Sequence, residues 1–302
     1  MTTLAWSDIE RITGGKLGRK MTVCPLCSGQ RRTSHKRQSK VLAVTLLEPE
    51  FAVYYCNHCE AQGYCRSYTP GRVIVSFEEQ QRRRAAADRH AADEKRQRTR
   101  QALKLWDEAS PCRGSPIEDY FYYTRGIGDW FDTFPYLDQI FRYHANCPFG
   151  GERLPCMLAL VRDIQTDVPV AIHRTALTTD KHPKKIDRKS LGPTAGGAIK
   201  ISHDHEVHSG LLIAEGIETA FSASKLIGFK PVWSVIDKNG MTKFPVLSGI
   251  ESVTVAVDND PDGQRAASAL VQRLTAANVE VITLKTNRAN DFNDLDLARV
   301  AR

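Results

Sequence analysis

At 302 residues the chain has room for about two domains, and a composition of 41% hydrophobic and 25% charged residues excludes wholesale disorder. No apolar run approaches the ~18 residues of a membrane helix, and the opening MTTLAWSDIERITGG carries acids rather than a basic and then apolar signal, which predicts a cytoplasmic protein with no membrane partner. Lys and Arg total 42 against 35 acids, a net charge of +7 that favours a polyanionic partner.

Composition changes along the chain divide it into four segments. Residues 1–68 hold five of the eight cysteines and short strand-like runs, Val41–Val44 and Phe51–Tyr55. Residues 69–108 contain an Arg-, Gln-, Ala- and Glu-rich stretch of good helix formers with few residues to bury. They read as a charged helical linker, with direct nucleic-acid contact by its arginines as the alternative. Residues 109–206 mix aromatics with Gly/Pro turns, with predicted strands at Met157–Val161 and Val170–Thr175 and a predicted loop over Lys181–Lys189. From 207 to 302 the pattern becomes regular: strands Leu211–Ala214, Val232–Ile236, Ser252–Val257 and Val279–Leu284 alternate with helices over Thr219–Ile227 and through Ala266, Leu270 and Leu274. Such alternation predicts a mainly parallel sheet covered on its faces, with ligands gathering at the carboxyl ends of its strands. The fold class is therefore α/β and multi-domain.

Cys24-Pro-Leu-Cys27 and Cys56-Asn-His-Cys59 are two Cys-x-x-Cys knuckles separated by strand-like sequence. Each supplies two sulfurs from one tight turn, and a chain doubling back between them assembles the tetrahedral thiolate set that zinc favours. A redox pair and His58 as a substitute ligand are the alternatives. Cys65, Cys112, Cys147 and Cys156 lack paired spacing and read as free thiols. Between the knuckles, Arg31–Lys40 is dense in cations, a stretch suited to phosphate contacts on DNA or RNA or, more plainly, a solvated loop.

Three acidic motifs follow the predicted strands of the last third: Glu215 in AEGIETA, Asp258-Asn259-Asp260-Pro261-Asp262-Gly263, and Asn290-Asp291-Phe292-Asn293-Asp294. Carboxylates converging at strand ends are the hard oxygen ligands that hold Mg²⁺ together with substrate phosphates. Asp262 reads equally as a helix N-cap, Asp291 and Asp294 as an exposed acidic loop, and Glu218 as a capping or supporting acid.

A Glu-Gly after one strand and Asp-x-Asp-x-x-Gly after a later one resemble the Toprim domain shared by primases, topoisomerases and some nucleases. A zinc ribbon ahead of it resembles the primase arrangement in particular. Tyr120–Ile127 and His173-Arg174-Thr175 are similar to the middle region of phage and plasmid Toprim primases. The resemblance covers nearly the whole chain. It implies an N-terminal β zinc ribbon (1–68) binding template, a helical linker (69–108), and a primase core made of an N-terminal subdomain (109–206) and a Toprim catalytic domain (207–302). It also implies DNA-templated joining of ribonucleoside triphosphates on single-stranded DNA, with structural Zn²⁺ on Cys24, Cys27, Cys56 and Cys59. Catalytic Mg²⁺ or Mn²⁺ would sit on Glu215, Asp258 and Asp260, with Asp291 or Asp294 as the later acid. Bacterial primases usually place an acid four residues after the first Glu, where this chain has Thr219, with Glu218 one position earlier.

The basic segment Lys181–Lys189 holds five permanent cations in nine residues. It resembles the basic motif of primases, with Lys185 and Lys189 the first choices for gripping triphosphates and Arg174 and Lys200 as further candidates. No Gly-x-x-x-x-Gly-Lys-Ser/Thr loop appears, so a separate replicative helicase is the implied partner, in a bacterial cell or a phage-infected host. The alternatives are a metal-dependent Toprim nuclease and a non-catalytic zinc-ribbon replication adaptor.

Overall fold

A computed structural model of the chain describes residues 3–31, 34–67, 77–286 and 289–300. Arg32, Thr33, the side chain of His35 and the expected boundary between residues 68 and 69 lie outside the described residues. The chain forms two compact units, Met1–Arg83 and Arg84–Arg302, and the division falls within the helix Phe77–Glu108. Among the described residues, no helix is long and apolar enough to cross a membrane.

The first unit opens with a helix, Trp6–Thr13, followed by strands β1 (Gly18–Val23), β2 (Lys40–Glu48), β3 (Phe51–Cys56) and β4 (Gln62–Arg66) in one antiparallel sheet. Both strand-like runs of the sequence fall in β2 and β3, which pair as a hairpin. Side chains alternate across a strand, so Ala52, Tyr54 and Cys56 face inward together onto Leu42, Val44 and Ile9.

Among the described residues the second unit carries ten strands: β5 (Ser110–Pro111), β6 (Phe141–Phe149), β7 (Glu152–Asp163), β8 (Pro169–Leu177), β9 (Lys185–Leu191), β10 (Gly197–Lys200), β11 (Gly210–Ala214), β12 (Val232–Ser234), β13 (Ser252–Val257) and β14 (Glu280–Lys285). Strands β5 to β9 are antiparallel, whereas β12, β11, β13 and β14 run parallel in that order. The short β10 joins the halves, pairing Gly197 and Ala198 with β7 and Ile199 and Lys200 with β12.

The parallel half is buried on both faces. Leu212 and Ala214 pack toward Phe221 of helix Ile217–Ile227, and Leu211 and Ile213 toward Leu270 and Leu274 of helix Pro261–Ala276. An aromatic cluster of Phe121, Phe131, Phe141 and Phe221 extends the first of these cores, with Phe121 stacked on Phe131 at 4.6 Å. The helix Phe77–Glu108 is mostly exposed, but its last turns bury Ala102 and Trp106 among residues of β6, β7 and β8, and Thr99 Oγ1 donates to the Val170 carbonyl at 2.9 Å. Charge dominates its average, so the few apolar residues that dock it are masked in composition.

The segment Lys181–Lys189, expected as a loop, is a strand from Lys185 onward, because β8 offers a ladder for it to pair with. The expected strand Val232–Ile236 stops at Ser234. Ile236 turns away with a φ of 75° at the mouth of the site, a strained position for a β-branched residue.

Candidate metal centres and the acidic cleft

The hairpin of the first unit brings its two knuckles together. One sulfur atom from each of Cys24, Cys27, Cys56 and Cys59 lies within 4.8 Å of the others, with Cys24–Cys59 at 4.0 Å and Cys27–Cys56 at 3.9 Å. Four thiolates on a tetrahedral zinc stand about 3.8 Å apart, given a Zn–S length near 2.3 Å. Burial and crowding among the sulfurs push Cys24 up to about 12 and raise Cys59. Cys56 is opposed by burial, yet the amides of Cys59 and His58 bring it below its usual value. Four sulfurs closing on one point, three of them on buried cysteines and Cys59 exposed, fit a thiophilic dication. Arg31, first of the cationic run assigned to phosphate contacts, is instead buried and donates to Cys27 Sγ at 3.0 Å and to the carbonyls of Lys36 (2.8 Å) and Ser39 (3.1 Å). Its charge serves the sulfur cluster from outside, a role no spacing rule predicts.

In the second unit the parallel register sets the acids. Ala214 is level with Ala256, so Glu215 and Asp258 leave neighbouring strand ends, Asp258 one residue later than Glu215. Ser234 Oγ donates to the Glu215 carbonyl at 2.8 Å, and the Asn259 amide to the Asn290 carbonyl at 2.8 Å, which ties the second acidic turn to the third. Asp260 is the N-cap of helix Pro261–Ala276, accepting from the Gly263 amide at 2.6 Å with Pro261 in the first turn. A Cβ at Gly263 would stand 3.0 Å from the Asp258 carbonyl, so a glycine there lets the turn close. The capping role weighed for Asp262 thus falls to Asp260, while Asp262 pairs with Lys238 and Arg265. Asp291 caps the next helix through the Asp294 amide at 2.8 Å, and Asp294 itself is exposed.

Burial and the nearby Asp258 raise Glu215 to about 7, against the pull of Arg188. Burial, with Asp291 and Asp260, raises Asp258 to about 6. Asp258 Oδ1 is buried and accepts no hydrogen bond. Raised carboxylates with an orphaned oxygen suit a hard divalent cation, although among the described residues only the four cysteines already stand at ligand spacing. Glu218 is the opposite case. Although burial works against its charge, Lys185 at 3.6 Å, Arg125 at 3.9 Å and the Tyr120 hydroxyl at 2.6 Å hold it down to about 2. Glu218 therefore anchors these cations, all three contacts falling on its Oε1.

Arg125, Lys185, Asp187, Arg188, Glu218, Asp258 and Asp291 share one cleft of about 330 Å³, and Glu215 and His173 line a small cavity beside it that Arg188 and Glu218 also line. The β8–β9 register decides which cations enter. Thr175 pairs with Arg188 and Arg174 with Lys189, so these two couples lie on opposite faces. Arg188 reaches Glu215 at 3.8 Å. Lys189 lies over the Phe149 ring at 4.8 Å and near Asp187 at 3.7 Å, and Arg174 donates to the Pro148 carbonyl at 2.6 Å, so neither lines the cleft. A one-residue bulge between Asp187 and Lys185 then returns Lys185 to the Arg188 face. Lys200 is buried against Asp204 at 2.7 Å and the Trp233 ring. His173, held near 4 by burial, is neutral and bonded to Ser190 at 3.1 Å.

Sequence reasoning passed over Arg188, Arg125 and Asn293. Arg125 NH1 donates to Asn293 Oδ1 at 3.2 Å, and Asn293 Nδ2 donates to the Arg125 carbonyl at 2.8 Å and to Ser222 Oγ at 3.0 Å, which locks the helix after Asp291 to the Tyr120–Gly126 turn. Arg125 stands inside the quoted Tyr120–Ile127 motif, which was the available signal.

Compared with known proteins, residues 96–201 match a domain family of unknown function (DUF7146), and residues 210–301 match the Toprim domain. No curated protein sequence matches the chain. Among solved structures, the primase fragment of the bacteriophage T7 primase-helicase protein is similar over 93% of this chain and 95% of its own length, at 14% identity and a TM-score of 0.43. The Aquifex aeolicus primase, comprising zinc-binding and RNA polymerase domains, is similar over 97% of this chain and 82% of its own, at 14% identity and 0.43. A DNA primase domain from Pseudomonas aeruginosa covers 67% of this chain and 74% of its own length, at 12% identity and 0.40. The four parallel strands with acids at their ends thus fall in the segment 210–301 that matches the Toprim domain.

Proposed function

We propose that the chain is a DNA-templated RNA primase, joining ribonucleoside triphosphates into short primers on single-stranded DNA. The observation that carries this reading is the meeting of Asp258, Asp291 and adjacent Glu215 with Arg188, Lys185 and Arg125 around one cleft of a Toprim domain. Divalent cations bound to Glu215, Asp258 and Asp291 would supply the Lewis-acid charge that phosphoryl chemistry needs. Asp260 stands outside the lining residues and adds charge from the rim.

The chain's own residues divide the remaining work. Arg188 and Lys185 present fixed positive charge to triphosphate oxygens, and Glu218 holds Lys185 and Arg125 in place. The 3′-hydroxyl of one nucleotide attacks the α-phosphorus of the next. The new P–O bond forms as the bond to pyrophosphate breaks, and the hydroxyl proton leaves to solvent. Neutral His173 stays bonded to Ser190 and takes no proton. The four-cysteine unit, loaded with zinc, is the template-binding module, and unwinding comes from a separate helicase.

The test is primer synthesis on single-stranded DNA of mixed sequence with labelled ribonucleotides and Mg²⁺, run beside Asp258→Ala. Short oligoribonucleotides from the unaltered chain alone support the reading. Cutting of the template replaces it with a nuclease, and equal synthesis by both proteins overturns the site.

A further inference from the structure

The segment Tyr120–Thr124 is a π-helical turn, a rare widening that recurs at functional sites. It closes through the Arg125 amide to the Tyr120 carbonyl at 3.0 Å and sends Tyr120 inward and Tyr123 to the surface. Tyr120 is fully buried against Glu218, whereas Tyr123 is 64% exposed. The exposed ring has company. His182, on the loop between β8 and β9, lies 4.5 Å from it, centroid to centroid, at an interplanar angle of 49°.

The pairing is built rather than incidental. Thr124 Oγ1 donates to the Pro183 carbonyl at 2.7 Å, pinning the turn to the loop beside the two rings. The loop is itself closed: the Thr178 amide donates to the Lys184 carbonyl and the Lys184 amide to Thr178 Oγ1, both at 2.9 Å. Single exposed aromatics are ordinary, but two rings held together at the surface keep π-faces open to water at little further entropic cost. Their position is specific. Tyr123 is two residues from Arg125 and His182 three from Lys185, so the platform lies within roughly 7 to 11 Å of chain from two cations that line the acidic cleft. Exposed Lys181 and Lys184 flank His182.

We propose that Tyr123 and His182 form a platform on which a nucleobase stacks as its phosphates run toward Lys185 and Arg188. The inference rests on the reading of the cleft as a nucleotidyl-transfer site and adds where a base is held. Stacking between aromatic side chains and bases is sequence-tolerant, so the platform takes any base. The base belongs either to a single strand or to an incoming nucleotide.

The experiment measures binding by the full chain of two probes, a labelled thymidine oligonucleotide and a fluorescent ATP analogue, over a range of salt concentrations. Tyr123→Ala and His182→Ala should each weaken at least one probe about fivefold or more without changing the slope of log affinity against log salt, and Tyr123→Phe should restore binding to within about twofold. Lys184→Ala, a charge control, should instead flatten the strand slope by about 0.7. Loss on the oligonucleotide assigns the base to the strand, and loss on ATP alone assigns it to the nucleotide. The proposal is overturned if both alanine variants bind both probes as the unaltered chain does, or if the unaltered chain binds neither. A chain that stacks through Tyr123 yet makes no primers sinks the polymerase reading and leaves the platform standing. Primer synthesis with affinities indifferent to Tyr123 does the reverse.

Discussion

In the parallel half of the long sheet the cleft residues stand at strand ends; in the antiparallel half they stand along strand faces. Glu215 and Asp258 follow β11 and β13 directly, and every strand of the parallel half delivers its end to the same edge. Arg188 and Lys185 lie within β9, where the pairing with β8 and one bulge choose the face. The same contrast separates Glu215 from Glu218. One is raised to about 7 by burial and its acidic neighbours, and the other, three residues on, is held to about 2 by Lys185 of β9 and by Arg125 and Tyr120 of the preceding turn. Glu215 and Asp258 are positioned by topology and Lys185 and Arg188 by register, and the two halves meet as a charge pair.

The largest effect expected is at the parallel half. Asp258→Asn should cost about a thousandfold in primer synthesis, the scale of removing charge stabilisation at a phosphoryl centre, with thermal melting in chelator at pH 7.5 improved. Next comes the junction between halves. Glu218→Gln leaves Lys185 and Arg125 facing a neutral group in a buried setting and should destabilise the second unit by about 3 kcal/mol in urea titration. Full stability would break the view of Glu218 as the anchor of the antiparallel half.

The face rule is sharpest between neighbours. Arg188→Ala should lower primer synthesis about thirtyfold, as loss of a charged contact does, whereas Lys189→Ala should stay within about threefold. The reverse ranking would mean that the β8–β9 register assigned to β9 is wrong.

The smallest effect is a pH dependence. Because Glu215 and Asp258 titrate above their ordinary values of 4.5 and 3.8, the folded chain holds protons that the unfolded chain has released. Metal-free stability should therefore fall as pH rises from about 4 to 7, by a few degrees in melting temperature, and Mn²⁺ should recover more at pH 7.5 than at pH 5. Glu218 contributes the opposite slope, its stabilisation being lost as pH falls from about 4.5 toward 2. A melting temperature flat from pH 5 to 7.5 in chelator, unchanged by Asp258→Asn, would deny the strain among the acids.

Much of this was open to reading from residues alone. The strand Ser252–Val257 was placed at its observed bounds, the four cysteines of the cluster follow from two knuckles and a hairpin, and the Toprim segment follows from acids placed after apolar runs. What escaped was relational. Lys185 and Lys189 are the same residue type in one basic segment, and nothing local distinguishes the one beside Glu218 from the one on Phe149. Arg31 looked like part of a phosphate-binding run because its burial against Cys27 depends on how the knuckles close. Asp291 and Asp294 were equivalent in the loop until the Asn259–Asn290 hydrogen bond drew the turn toward Asp258.

Sequence by itself determined the alternation of strands and helices, the thiolate set and the acids at strand ends, because hydrophobic period and motif spacing are properties of short stretches of chain. Tertiary structure decided which face each cation occupies, which carboxylates share a site and which are neutralised. Those outcomes depend on strand register, a single bulge and the desolvation of charge, and each of these is set by residues far apart in the chain.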